Sequence, residues 1–382
     1  MDAGERWLLS DVTGLPVFAW DSRGHRLRTR YDALRRPLEV WLQEADGPER
    51  MIARTVFGEA VPDAESKNLR GRVHQSFDQA GVVSHADYDF KGNLLLSQRQ
   101  LCSDYKTTID WSSDPSLDSQ VFVNRTRYDA LNRPVSVEAP DQSITRPRFN
   151  HSGLLQGLSV QLRGAAASTP FVTAIDHDAK GRRSSIAYGN GVRGSCVYDP
   201  LTLWPTASQT LRGTDRLQDL RYTHDPVGNL TQIEDRAQQT LYFNKQVVAA
   251  SAEYRYDALY RLRTAHGREH IGQASRPETR WDDAGRSSLP HPQDGQAMRR
   301  YVQTYDYDPA GNLLQLTHRA VGGDWTRHYH YQEASLIEAG QHNNRLSGVA
   351  VGGQPDAPHA HDAHGNMTRM PHLAAMHWEF AD

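Results

Sequence analysis

The residue string with the clearest chemical potential is His266-Gly-Arg-Glu269-His270, which matches the H-x-x-E-H pattern of inverted zinc proteases. In those enzymes the string lies on a helix, where residues four apart share a face and both histidines reach one zinc ion. Here it follows residues 256–262 of a strand-like repeat, and Gly267 lies inside it. On a strand the two histidines would be about 13 Å apart. The sequence therefore favours a strand edge, and a zinc hydrolase using these residues is only a third hypothesis.

A second string, Gly189-Asn-Gly191-Val-Arg-Gly194, matches the G-x-G-x-x-G fingerprint of dinucleotide-binding loops. That fingerprint requires a strand before it and a helix after it. The residues that follow, Ser-Cys-Val-Tyr198-Asp199, read instead as another strand and another turn. A tight hairpin loop explains the glycines better, and we predict no cofactor.

Histidines are dense towards the end of the chain, a pattern that suggests metal binding. They are His328, His330, His359, His361, His364, His372 and His377. His328 and His330 alternate with tyrosines on a predicted strand, so they can share a face, whereas the others lie among Pro, Ala and Gly without a fixed register. We expect adventitious metal binding at most. Cys102 and Cys196 lie far apart, outside any C-x-x-C motif. We predict no catalytic, cofactor-binding or metal-binding residues.

The most frequent pattern is an aromatic residue or His, then Asp, two further residues and Gly. Composition alone would produce about 0.3 copies, so the observed copies define a repeat. They begin at Trp20, Phe77, Tyr88, His177, His224, Trp281, Tyr307 and His361. Looser copies begin at Tyr31, Tyr128, Phe149, Tyr198 and Tyr256. In these, Asn150 replaces Asp, or Arg35, Asn132, Thr202 or Tyr260 replaces Gly.

Each copy predicts a hairpin turn. The aromatic residue ends a strand, and the Asp carboxylate accepts backbone N–H groups two residues on. Pro226 and Pro309 then fall inside their turns, where their fixed φ fits, and Gly supplies the positive φ that closes the turn. Aromatic rings beside carboxylates can also hold sugars, but the structural role explains both residues more simply.

The spacing of the copies sets the secondary structure. A period near 26 residues leaves room for two strands of about eight residues and two turns, and no long helical pattern occurs. We therefore predict an all-β chain. Its expected divisions are repeats with an insertion loop over residues 1–67, a repeat spiral over 68–331 and a loop-rich segment with a final repeat over 332–382. We also expect a strand over 51–57, an exposed loop over 285–298, a short helix at most near 335–338 and the start of an incomplete strand at 378–382, which suggests a truncated chain.

Composition narrows the class of protein. The 382 residues include 43 Lys and Arg and 46 Asp and Glu, a net charge of −3 that argues against nucleic-acid binding. With 38% hydrophobic residues and a mean hydropathy of −0.70, one thick core is unexpected and a large surface is favoured. No signal peptide or membrane-spanning run is visible.

The Tyr-Asp-x-x-Gly-Asn/Arg-Leu pattern resembles the Rhs/YD-repeat family. The stretches at 68–71, 217–230 and 256–262 are similar to the B and C components of bacterial insecticidal toxin complexes, the Tc toxins. The resemblance implies a β-hairpin spiral that forms part of a hollow shell, the cocoon, and encloses a cytotoxic C-terminal domain. The family's Asp-Pro-rich autoproteolysis motifs do not occur before Asp382. No residue therefore inherits the protease role, and no toxin activity can be assigned.

Together these observations predict a non-enzymatic shell segment. Its expected partners are other shell segments, Tc/Rhs toxin components and an encapsulated toxin domain, with no nucleic acid and no membrane span. We expect synthesis in the bacterial cytoplasm and export within a toxin complex. The alternative is a cell-surface adhesion or carbohydrate-binding YD-repeat protein.

Overall fold

A computed structural model describes residues 4–271, 295–352, 357–370 and 373–380. Within these residues the chain consists of antiparallel β-strands, turns and one short 3-10 helix, Gly58–Ala60. The expectation of an all-β fold is confirmed. None of the described segments contains a helix with the length and apolar character needed to cross a membrane.

The chain forms two compact units. Of the described residues, the N-terminal unit comprises Gly4–Ile175 with Tyr188–Asn190 and residues 379–380, and the C-terminal unit comprises Asp176–Ala187 and the described part of 191–378. In each unit, consecutive strands pair antiparallel, so the chain runs up and down as a meander.

The first thirteen strands pair in sequence. They are β1 Arg6–Ser10, β2 Pro16–Asp21, β3 His25–Tyr31, β4 Pro37–Glu44, β5 Glu49–Phe57, β6 Val73–Asp78, β7 Gly81–Tyr88, β8 Leu94–Cys102, β9 Leu117–Tyr128, β10 Pro134–Glu138, β11 Ile144–Phe149, β12 Leu155–Gln161 and β13 Thr169–His177. The predicted strand at 51–57 is confirmed within β5. In the first pair Trp7 of β1 lies opposite Trp20 of β2, and in the last Leu158 of β12 lies opposite Val172 of β13.

The remaining strands continue the pattern. They are β14 Arg183–Tyr188, β15 Val192–Tyr198, β16 Pro205–Arg212, β17 Asp215–His224, β18 Leu230–Asp235, β19 Leu241–Phe243, β20 Gln246–Val248, β21 Ser251–Tyr256, β22 Leu262–His270, β23 Met298–Tyr307, β24 Leu313–Ala320, β25 Trp325–His330, β26 Gly348–Val351, β27 Ala357–Pro358, β28 Ala360–His361 and β29 Met367–Arg369. Strand β18 pairs with β21, because β19 and β20 form a separate small hairpin between them.

Burial along many strands lacks the inside–outside alternation of a sandwich or barrel. Every residue of β6, β10 and β18 is half-buried. A sheet with one face on a core would instead alternate buried and exposed positions. In β10 and β18, therefore, neither face is fully covered by a core, whereas β6 contributes Phe77 to a local apolar cluster.

Apolar burial concentrates where loops fold onto the N-terminal unit. The loop after β8 brings Ile109 and Trp111 against Met51, Val82 and Cys102. The loop after β5 brings Ala64 and Leu69 against Tyr88 in a second cluster. Each cluster is a local core that a few strands and one loop build together.

Three local expectations can be compared with the structure. Residues 336–338 form bends beside a bridge between Ala334 and His342, which is consistent with the expectation of a short helix at most. No strand begins at residues 378–380; instead the Arg23 guanidinium donates to the Glu379 and Phe380 carbonyls. The expected loop at 285–298 lies mostly outside the described residues, although Ala297 is fully buried.

Candidate functional site

The aspartates of the repeat organise each turn through a fixed set of hydrogen bonds. The Asp129 carboxylate accepts the Leu131 N–H at 2.8 Å, the Arg133 N–H at 3.1 Å and Arg133 Nε at 2.7 Å. The backbone closes the same turn, because the Asp129 N–H donates to the Arg133 carbonyl and the Asn132 N–H to the Asp129 carbonyl. Both carboxylate oxygens therefore have partners inside the turn.

The same arrangement recurs along both units. The residue two positions on donates its N–H to the carboxylate of Asp21, Asp89, Asp129, Asp178, Asp225, Asp257 and Asp362. The residue four positions on donates its backbone N–H and, in many turns, its side chain, as Asn229 does to Asp225 and Arg261 to Asp257. The predicted turn role of the repeat aspartates matches this geometry.

The turn closes through a residue with positive φ. Gly228 and Gly311 adopt φ of 99° and 94°, and Asn132 and Tyr260 adopt 61° and 62° in the same position. The looser copies therefore keep the backbone geometry without the glycine. In the turn after Tyr198 the expected position is wrong: this turn is one residue longer, and Leu203 rather than Thr202 has the positive φ, 67°.

The copy at Phe77 also departs from the pattern. Asp78 pairs directly with Gly81 across a two-residue hairpin, so this glycine already belongs to the return strand. A Cβ on Gly81 would lie 2.1 Å from the Gln100 carbonyl oxygen. The glycine here permits close strand contact in addition to its φ of 142°.

The tyrosines of the repeat make a contact that sequence reasoning missed. The Tyr256 hydroxyl donates to the Leu230 carbonyl at 2.8 Å, and Tyr307 donates to the Leu262 carbonyl at 3.0 Å. Equivalent bonds join the hydroxyls of Tyr31, Tyr88, Tyr198 and Tyr331 to the carbonyls of Pro16, Val73, Arg183 and Leu313. The sequence signal for this contact is that the copies carry Tyr more often than Phe, since only Tyr has a hydroxyl group to donate.

Different turns of the repeat also contact each other. The Arg182 guanidinium lies 4.2 Å from the Tyr198 ring centroid, and Arg261 lies 4.9 Å from that of Tyr307. Arg261 Nη1 also donates to the Asp308 carbonyl at 3.0 Å. We call this chain of contacts the turn ladder: the arginine that closes one turn packs on the aromatic residue of a later turn.

These contacts explain the electrostatics of the repeat. The side-chain hydrogen bond from Arg133 is the main cause that holds the pKa of Asp129 below its usual value, and the amide of Asn93 does the same for Asp89. The carboxylates therefore stay charged and bonded within their turns. This geometry favours the structural role over sugar binding, because the carboxylate oxygens accept hydrogen bonds within their turns and arginines pack on rings such as those of Tyr198 and Tyr307.

The His266-Gly-Arg-Glu269-His270 string lies on strand β22, as its sequence context indicates. Because side chains alternate, Glu269 faces away from both histidines. Glu269 Oε1 accepts Arg299 Nε at 2.7 Å and lies 3.2 Å from His318 Nε2, and all three side chains are at most 10% exposed. The structure thus separates the residues that a zinc protease would bring together.

His318 completes a buried polar cluster in the C-terminal unit. Its ring stacks between Trp325, with a centroid distance of 5.0 Å, and Tyr301, at 5.2 Å. We call Glu269, Arg299 and His318 the buried triad. Nothing in the sequence identified it, since its members lie 30 and 49 residues apart.

The other candidate strings also fall on structural elements. Residues 189–191 form the hairpin loop between β14 and β15, and no helix follows. His328 and His330 lie on β25, opposite Ala350 and Gly348 of β26. His361 Nδ1 lies 2.8 Å from a Glu333 carboxylate oxygen.

Two further positions lie outside the described residues, namely His372 and the repeat copy at Trp281. Among the residues that the structure describes, no three His, Cys, Asp or Glu side chains are grouped so as to hold a metal ion.

Curated toxin subunits from Yersinia entomophaga align with this chain. Toxin subunit YenC2 is 29% identical over 350 residues, which is 84% of this chain and 36% of that protein. Toxin subunit YenC1 is 28% identical over 342 residues, which is 85% of this chain and 34% of that protein. The chain thus spans about a third of the length of these relatives. No protein-family model matches it.

Solved structures share the fold. The crystal structure of TcdB2-TccC3 matches with a TM-score of 0.80 and 23% identity, over 98% of this chain and 19% of that chain. The Photorhabdus luminescens Tc holotoxin pore matches with a TM-score of 0.79 and 24% identity, over 98% and 18%. The resemblance to Tc toxin components is confirmed. In fold, this chain matches the solved TcdB2-TccC3 and Tc holotoxin structures.

Proposed function

We propose that this chain is a non-catalytic segment of a Tc/Rhs-type shell that encloses a toxic domain before delivery. The turn ladder carries the proposal. Its carboxylates, arginines and tyrosine hydroxyls bond to each other and to the backbone, which suits a repeat whose role is to build a wall. Such a wall works by excluding solvent and proteases from an interior.

The burial pattern supports the same role. Strands that are half-buried along their whole length suit a single sheet layer with two accessible faces, as a shell wall requires. A solid enzyme domain would place one face of these strands on a core. The partners of such a wall are neighbouring shell segments, other Tc/Rhs toxin components and the enclosed domain, and the assembly is exported from the bacterium as a complex.

The proposal is tested with the complete gene product that contains this chain. If the shell encloses a C-terminal domain, protease should digest that domain at least tenfold more slowly in the complete protein than when it is expressed alone. Equal digestion rates would contradict enclosure.

Two binding measurements on this chain address the alternatives. A glycan array should show no specific binding, whereas saturable binding to one glycan class would favour the adhesion protein. The zinc-hydrolase hypothesis predicts one bound zinc ion per chain, whereas we expect less than stoichiometric zinc in the purified chain. It also predicts a peptidase activity that is lost when His266 and Glu269 are replaced, and we expect no such loss.

A further inference from the structure

One face of strands β9 to β12, in the N-terminal unit, carries an excess of positive charge. Strand register and side-chain alternation place four arginines on this face: Arg125, Arg127, Arg146 and Arg148. We call this surface the basic face. Its strands contribute one carboxylate to it, Glu138, which pairs with Arg125 at 3.3 Å. Within the described residues, the other three guanidinium groups have no carboxylate partner within 4.0 Å.

Arg146 and Arg148 line an open groove on this face, with a volume of about 320 Å³. Gly157 forms part of its floor, where a Cβ would lie 3.1 Å from both Arg148 Nη2 and the Val172 carbonyl oxygen. The groove lining contains no acidic and no aromatic residue. The absence of a side chain at Gly157 therefore lets the Arg148 guanidinium lie close to the strand backbone at the floor of the groove.

Both arginines have neutral partners that engage one nitrogen each. Arg148 Nη2 donates to the Thr173 carbonyl at 3.1 Å, and Arg146 Nη2 donates to Gln161 Oε1 at 3.2 Å. A guanidinium carries five N–H donors in a planar fork that matches a carboxylate. These contacts position the two forks at the groove that both arginines line, and each contact uses only one nitrogen of its guanidinium.

We infer that this groove binds an acidic polypeptide segment in an extended conformation. Arg146 and Arg148 are alternate residues of one strand, which sets their Cα atoms about 6.6–6.8 Å apart. Alternate side chains of an extended peptide have the same spacing. Carboxylates at positions i and i+2 of such a segment can therefore each meet one fork in a charge-assisted, bidentate pair.

The surroundings favour a peptide over a nucleic acid. Proteins that bind single strands without sequence preference stack bases on aromatic side chains, which this groove lacks. The chain as a whole also has a net charge of −3, which opposes long polyanions. A short segment with two carboxylates contacts only the basic face, so the net negative charge of the whole chain opposes its binding less.

The test measures fluorescence anisotropy of labelled peptides with the full chain. One peptide alternates Glu and Thr, and a second has the same composition with its glutamates in one block. The wild-type chain should bind the alternating peptide at least fivefold more tightly. Arg146→Gln/Arg148→Gln should weaken this binding at least tenfold, whereas Arg193→Gln, which removes an exposed arginine from β15, should change it less than twofold.

Three results would overturn the inference. The first is equal affinity for both peptides, and the second is an equal loss with Arg193→Gln. The third is tighter binding of a single-stranded oligonucleotide of the same charge. Arg146→Lys/Arg148→Lys serves as a second variant should the first fail to fold by circular dichroism: it keeps the charge but not the forks, and wild-type affinity in it would contradict bidentate binding. The inference does not depend on the shell role, because the protease experiment tests enclosure and the anisotropy experiment tests the groove. Either result can be negative without affecting the other.

Discussion

Both units consist of antiparallel strands, but they cover the faces of these strands in different ways. In the N-terminal unit a loop covers one face, and the Trp111 ring packs edge-on against Phe77 at 4.9 Å while its Nε1 donates to the Asp78 carbonyl. In the C-terminal unit the buried side chains are instead those of the triad, in which Arg299 pairs with Glu269 and the His318 imidazole stacks on Trp325. The repeat motif thus specifies the turns, whereas the residues that cover the strand faces differ between the units. They are apolar in the N-terminal unit and polar in the C-terminal unit.

The largest expected effect is at the loop-covered cluster. Trp111→Ala removes a buried aromatic ring and its hydrogen bond, so it should lower the free energy of unfolding by about 3–5 kcal/mol. Tyr105→Ala, in the same loop but with its side chain 83% exposed, is the matched control and should change it little. Chemical denaturation monitored by circular dichroism measures both. Equal losses would mean that the loop is not a core element.

The buried triad should respond differently to single and paired changes. Arg299→Met leaves the Glu269 carboxylate buried without its cation, at a cost of about 3–5 kcal/mol. Arg299→Met/Glu269→Leu removes both charges and should lose less than the single variant. Denaturation curves of the two variants provide the comparison. If the double variant is the less stable one, the ion pair itself stabilises the unit.

The turns should behave alike in both units. Gly24→Val and Gly311→Val each place a β-branched residue at positive φ, in a position without severe contacts, and should lose about 1–3 kcal/mol. Gly228→Val should lose more, because a Cβ there would lie 2.8 Å from the Trp204 ring. Melting temperatures report the order.

The control for the glycine series is Thr223→Val at an exposed strand position. Wild-type melting temperatures for all three glycine variants would refute the turn assignment.

The smallest effect concerns acid stability. Since the native pKa of Asp129 is lowered, its charged form adds stability that is present above the unfolded value near 3.8 and is lost as pH falls through the native pKa. Asp129→Asn should therefore destabilise the chain at pH 7 and flatten the fall in stability below about pH 4. Asp118→Asn, an exposed aspartate outside the turns, is the control. Parallel pH profiles for Asp129→Asn and the wild type would contradict this role.

Local features were predictable from the sequence because they depend on neighbouring residues. The Asp, Pro and Gly of each turn specify its geometry within five positions, so the hairpins and the all-β class followed directly. The extra residue at Leu203 was missed because φ depends on the turn length, which the motif does not encode.

Long-range features were not predictable in the same way. The pairing of Glu269 with Arg299 and His318 depends on strand register across three strands, and the packing of Trp111 depends on how a loop folds back. The turn ladder lies between these cases: its arginines and tyrosines are visible in each copy, but their contacts join different copies. The division into 1–67, 68–331 and 332–382 and the absence of site residues remain predictions.

Electron cryomicroscopy of the complete gene product would show directly whether these repeats form a shell. We expect them to form one layer of a curved wall around a cavity that contains density for a further domain. A solid particle in which other domains pack against both faces of the repeat strands would contradict the shell function.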